Sequence, residues 1–166
     1  IEARLGHPAP PDFLDRLQLR AFAAFARELT AVPGAPALLD ALDDAGIPYC
    51  VASSGSHEKM RTTLGRTGLL ARLEGRLTSS LETARGKPFP DVFLLAATRM
   101  GAAPHDCVVI EDSPLGIEAA RAAGMRAIGL AGSMPADRLA AAGAWRTVAH
   151  LDEVAPLLGL ATRAAR

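Results

Sequence analysis

Two adjacent acids, Glu111 and Asp112, stand where the apolar run Val108-Val109-Ile110 gives way to Ser113-Pro114 and an alanine-rich stretch. Ser113 and Pro114 suit the N-cap and first turn of a helix, so the acids fall at the carboxyl end of a strand. The run before them lacks polar alternation, as expected for a strand buried on both faces. Two carboxylates about 4 Å apart repel by about 4 kcal/mol at an effective dielectric of 20. A cation or a proton offsets that repulsion in a partly buried site; the positive end of the following helix is the competing explanation. Mg2+ suits such a pair, because it takes carboxylate oxygens and keeps waters that a phosphate can replace.

Two further stretches carry comparable chemistry. Ser53-Ser54-Gly55-Ser56 follows the apolar YCVA and offers hydroxyls, a glycine for a tight turn, and Ser56 or His57 as a helix cap. Free N–H groups at a helix start favour an anion, although a capped turn with no ligand has the same sequence. In RGKPFPD, residues 85–91, two prolines flank Phe89 and are expected to hold the loop extended. Lys87 is then an ammonium placed by a stiff loop, suited to phosphate or carboxylate; an ordinary surface lysine is the alternative.

The elements that must position these residues follow from periodicity and breakers. Residues 11–29 place Phe13, Leu14, Leu17, Phe22, Phe25 and Leu29 at helical spacing. Thr30 to Pro36 is a breaker-rich hinge. Beyond it, helices are expected at 35–45, 57–65, 91–100, 114–123, 135–142 and 151–158. Strands are expected at 48–53, 76–79, 107–111, 125–130 and 145–148. Short strands alternating with helices imply an α/β fold, a Rossmann-like three-layer sandwich with a parallel sheet. The expected division is a partial helical cap at 1–30, a core at 31–160 and a frayed tail at 161–166. Ligands of open α/β sheets bind beyond the carboxyl ends of the strands. Ser53, Lys87 and Glu111-Asp112 all fall there, and a hydroxyl, a cation and an acid pair on one rim can handle a phosphate ester.

Composition excludes several other classes. Eighteen basic residues balance eighteen acidic ones in the 166-residue chain, so neither a nucleic-acid groove nor an anionic-membrane patch is indicated. An aromatic content of 4% also argues against a base-stacking platform. No apolar segment reaches the roughly 18 residues of a membrane span. Cys50 and Cys107 lie in apolar runs without a CxxC partner, which reads as reduced thiols in a cytoplasmic protein without zinc. No GxGxxG follows a strand, which sets a dinucleotide-binding domain aside.

The order Ser53, Lys87, Glu111-Asp112, within VASSGS, GKPFPDVF and VVIEDSPLGIEAARAAGM, resembles the haloacid dehalogenase superfamily. The similarity runs from about Pro33 to Leu130 and points to the branch of β-phosphoglucomutase and sugar-phosphate phosphatases. It implies Mg2+-dependent phosphoryl transfer from a small phosphorylated metabolite through an aspartyl-phosphate. Ser53, aided by the backbone of Ser54, corresponds to the phosphoryl-binding motif, Lys87 to the neutralising lysine, and Glu111 with Asp112 to the metal-binding acids. The Glu-Asp pair favours phosphate esters over the metal-free dehalogenases of the superfamily. An early acid pair and a late lysine, the order of a response-regulator receiver, are not found here.

One family motif is absent. The nucleophilic DxD at the end of a first strand has no counterpart, since Asp43-Asp44 ends a helix and Asp152-Glu153 begins one. The family places that strand between those ending at Ser53 and Ile110. The chain begins at Ile1 without a methionine, and an upstream segment of about fifty to sixty residues is expected. A phosphomutase of the same family, or a non-catalytic phosphate-binding relative, are the alternative functions.

Overall fold

In the computed structural model, which describes Gly6 and residues 8–161, the chain opens with α1 (Phe13–Glu28) and α2 (Ala35–Asp44). There follow β1 (Val51–Ser53), α3 (His57–Arg66), α4 (Leu70–Leu73), β2 (Leu77–Ser79) and α5 (Asp91–Met100). Then come β3 (Val108–Glu111), α6 (Pro114–Ala122), β4 (Arg126–Leu130), α7 (Ala136–Ala141), β5 (Arg146–Val148) and α8 (Val154–Leu157). Local chemistry sets many of these boundaries. Ser56 caps α3 by accepting from the Lys59 N–H at 3.2 Å, and Ser113 caps α6 by accepting from Gly116 at 3.1 Å. Helices α5 and α6 stop at Gly101 and Gly124, whose φ angles of 65° and 76° glycine tolerates without a Cβ clash.

Every strand pairing is parallel, and the fold is the expected α/β sandwich. Its centre is β4, where consecutive side chains point to opposite layers. Ala127 joins Val92 and Phe93 of α5, Ile117 of α6 and Leu139 of α7 in one cluster. Ile128 joins Leu38 and Leu42 of α2, Val148 of β5 and Val154 of α8 in another. A third, smaller cluster packs Met60 of α3 and Leu73 of α4 on Leu77 of β2.

The strands form two pieces, β1-β2 and β3-β4-β5, so β1 and β3 each pair on one side only. Both pieces still share the first cluster, through Ala52 of β1 and Val109 of β3. This corrects the expectation that Val108 to Ile110 is buried on both faces. Ile110 is 37% exposed, whereas Ile128 on the doubly paired β4 is 0% exposed. The strand expected at 48–53 also shrinks to 51–53, because Pro48 has no N–H and ladder pairing with β2 begins at Val51.

Helix α1 lies against α3, with Lys59 Nζ 5.7 Å from the Phe25 ring centre and Phe22 meeting Phe25 edge to face. Leu17, expected on its apolar stripe, is instead 50% exposed. Residues 29–34 between α1 and α2 are neither helix nor strand. Of the expected tail only Ala161 falls within the described residues, and residues 1–5 of the expected cap fall outside them. Among the described residues no helix is long and apolar enough to cross a membrane.

Ile128→Ala deletes a fully buried side chain at the crossing of β4 with α2 and α8. It is expected to lower unfolding stability by about 3 kcal/mol in urea titrations, against well under about 1 kcal/mol for the exposed Leu19→Ala.

Candidate functional site

Lys87 reaches the end of β3 from the turn that precedes α5. Its ammonium lies 2.6 Å from Glu111 Oε2, with side chains only 11% and 10% exposed, and 4.7 Å from the Phe93 ring centre. Glu111 Oε1 accepts from the Ser113 hydroxyl at 2.9 Å. Both Glu111 oxygens are thus engaged by the protein. Lys87 is the cation that pairs with Glu111.

Residues 85–91 form a turn rather than the expected extended loop. Phe89 N–H donates to the Gly86 carbonyl at 3.0 Å, and the Lys87–Pro88 peptide is cis. Arg85 closes the turn by pairing with Asp91 through two bonds of 2.8 and 3.2 Å while stacking 4.4 Å over Phe89. That guanidinium holds the Asp91 carboxyl below the usual carboxylate range. Asp91 opens α5, so the clamp fixes the turn to the helix that carries Phe93.

Asp112, by contrast, is exposed, and only a long 3.4 Å bond from the Ser133 hydroxyl reaches its Oδ2. No three His, Cys, Asp or Glu side chains among the described residues converge on a point. The donor set nonetheless fits Mg2+, which is held by one or two carboxylates plus waters and substrate oxygens. Asp112 supplies the open carboxylate, and Glu111 stands behind it in the grip of Lys87.

Ser53 ends β1 with its hydroxyl accepting the Gly55 N–H at 3.0 Å. Accepting leaves its own proton uncommitted. Ser54 beside it is exposed, and Ser56 is the cap of α3. Among the described residues no hydrogen bond joins Ser53 to Lys87; Ser53 ends β1, whereas Lys87 reaches the end of β3 through its side chain.

Sequence reasoning missed four contributors: Ser113 as a Glu111 ligand, Phe93 beneath Lys87, Ser133 beside Asp112, and Gly116. A Cβ on Gly116 would overlap the Glu111 carboxyl group. The signal was present, because a glycine in the first turn of a helix carries a propensity cost that asks for a reason. Close approach of the Glu111 side chain is that reason.

The α/β core thus carries, at one strand end, a buried lysine–glutamate pair next to an exposed aspartate, and sequence comparison supplies the family. The family profile of haloacid dehalogenase-like hydrolases matches residues 2–124, and the chain belongs to that family. Hexitol phosphatase A of Escherichia coli is 44% identical over 109 residues, covering 66% of this chain and 49% of that protein. A haloacid dehalogenase family hydrolase from Deinococcus radiodurans, solved with phosphate and sodium, superposes with a TM-score of 0.80. It is 34% identical and covers 95% of this chain and 71% of its own. A Thermotoga maritima protein assigned as a beta-phosphoglucomutase reaches a TM-score of 0.81 at 26% identity, with 95% and 74% covered. The chain spans about half the length of the curated relatives it matches.

Gly116→Ala is expected to displace Glu111 and lower stability by about 2 kcal/mol, read by denaturant unfolding. Lys87→Met leaves a buried carboxylate unpaired and is expected to lower stability by about 3 kcal/mol. Adding Glu111→Leu should recover most of that loss, giving a strongly non-additive double-mutant cycle.

Proposed function

We propose that the whole protein hydrolyses a phosphate ester of a small metabolite, a sugar phosphate above all, by Mg2+-dependent phosphoryl transfer. The observation that carries this reading is the buried Lys87–Glu111 pair beside the open carboxylate of Asp112. It is supported by family membership and by relatives named hexitol phosphatase A, 6-phosphogluconate phosphatase and fructose-1-phosphate phosphatase.

In this mechanism Lys87, fixed by Glu111 and Phe93, presents positive charge to the phosphoryl oxygens at one strand end. The free proton of Ser53 donates to a phosphoryl oxygen, with the Ser54 backbone beside it. Asp112, with Glu111 beside it holding Lys87, would hold Mg2+, which would supply screening of the phosphate charge against an anionic nucleophile. The carboxylate that attacks phosphorus in this family lies in a DxD motif outside these 166 residues. We place its strand between β1 and β3, whose facing sides are unpaired. Residues 1–30 act as part of a cap that selects substrate, with the core at 31–160. Water as acceptor makes a phosphatase; a second sugar hydroxyl makes a mutase, as the likeness to a beta-phosphoglucomutase keeps in view. The two free cysteines, with thiols pushed up by burial, suit the cytoplasm.

The test is turnover of a sugar-phosphate panel by the whole protein. Activity should require Mg2+, vanish with a chelator, and fall at least about a hundredfold in both Asp112→Ala and Lys87→Ala. Undiminished turnover in both variants would overturn the assignment.

A further inference from the structure

Glu82 plays no part in the mechanism above, yet its carboxylate has more partners than Asp112 or Lys87. Oε1 accepts from the Ser79 backbone N–H at 2.8 Å, meets His57 Nε2 at 2.7 Å and takes Arg99 Nη1 at 3.1 Å. Oε2 takes Arg99 Nη2 at 2.6 Å. One carboxylate therefore ties the end of β2, the first residue of α3 and the last turn of α5. Arg99, the Ser79 N–H and His57 together hold the Glu82 carboxyl far below the usual carboxylate range.

The node continues inward to the phosphoryl-binding loop. Ser79, 1% exposed, donates its hydroxyl to the Gly55 carbonyl at 2.7 Å and accepts the Leu81 N–H at 3.1 Å. Gly55 in turn gives its N–H to Ser53 Oγ. The Gly55 residue is thus held at both ends, by Ser53 on one side and by Ser79 on the other. Register reinforces the link, since Ser53 and Ser79 are partners across the β1-β2 ladder. His57, on the far side of the same turn, is anchored to the same Glu82. The turn Ser53–His57 is gripped at its middle by Ser79 and at its end by Glu82.

We propose that Ser79 and Glu82 are positioning residues for phosphoryl recognition. They fix the Gly55 peptide so that it occupies the lone pair of Ser53 and leaves the Ser53 proton pointing to substrate. The proposal rests on the phosphatase reading for its consequence but not for its geometry. Truncating either residue lets the turn relax, and Ser53 loses its orientation rather than its presence. Misplacement by a fraction of an ångström is enough to matter in phosphoryl transfer.

The experiment compares Ser79→Ala, Glu82→Gln and Ser53→Ala, singly and in pairs, in the whole protein. Two readouts are taken: kcat and KM for a sugar phosphate with Mg2+, and hydrogen exchange of the Gly55 to His57 amides. Ser79→Ala and Glu82→Gln should each lower kcat about tenfold with KM changed less than about twofold. In the Ser53→Ala background each should add less than about twofold, because the group they position is gone. Exchange at Gly55 should quicken about tenfold in both variants. A full additional loss in the Ser53→Ala background marks a merely structural role and overturns the proposal. Unchanged Gly55 exchange overturns it whatever the turnover. Absence of all turnover in the unaltered protein with Mg2+ defeats the phosphatase reading instead, and the exchange result then decides the geometry alone. Two variants on different elements keep the outcome readable if one fails to fold.

Discussion

The contact between Lys87 and Glu111 is the constraint on which the site depends. A carboxylate that is only 10% exposed needs a partner, since an unpaired charge at that depth costs several kcal/mol. The partner comes from a different element, so satisfying the charge also docks the turn 85–91 onto the end of β3. Arg85 and Asp91 then stiffen the turn from outside, while Phe93 supports the ammonium from below. Gly116 completes the arrangement by leaving room for the Glu111 side chain against the first turn of α6. One ion pair thus ties the turn 85–91 to the end of β3 and the start of α6, more than twenty residues further along the chain.

The packing around β4 gives that pair a rigid base. Ala127 and Ile128 are neighbours in sequence but belong to different layers, and each is essentially inaccessible. Helices α5 and α6, which flank the ion pair, share the Ala127 cluster. Relative movement of the Lys87 turn and the Glu111 strand end therefore requires disturbing a close-packed layer, which resists small displacements. The β1-β2 piece is joined to this base through Ala52 and not through strand pairing. Ser53 is accordingly held by its ladder with β2 and, through Gly55, by the Ser79 side chain.

Much of this was legible in the sequence, and the exceptions have physical causes. Helix limits at Ser56, Gly101, Ser113 and Gly124 follow from caps and stops that act within a few residues. The placement of Ser53, Glu111 and Asp112 at or just past strand ends follows from periodicity, whereas Lys87 lies in the turn before α5 and reaches a strand end only through its side chain. What sequence could not give is which charge meets which. The acid pair reads as a symmetrical unit, yet the fold divides it, because Glu111 points back toward Lys87 while Asp112 faces outward. The exposure of Ile110 was hidden for a similar reason: apolar character records what a strand can pair with, not whether a neighbour lies on each side. The turn at 85–91 was misread because the Arg85–Asp91 pair, six residues apart, outweighs the extended preference of residues before proline. Glu82 was invisible as a node, since its three partners lie 3, 17 and 25 residues away.

The division of the acid pair also fixes how an anion can approach. With Lys87 committed to Glu111 at 2.6 Å, the two charges largely cancel at a distance, and Asp112 leaves the rim net negative. A phosphate dianion meets repulsion there unless other positive groups act. The backbone N–H groups at the start of α3 supply part of that attraction, because a helix N-terminus carries about half a positive charge. On the proposed mechanism a divalent cation on Asp112 would supply the rest and offset the negative charge of the rim. On that reading phosphate affinity and metal affinity would be coupled by electrostatics, each raising the other. The lysine is placed where it makes the acids tolerable, and by that same commitment it is too weak an attractor to hold phosphate alone.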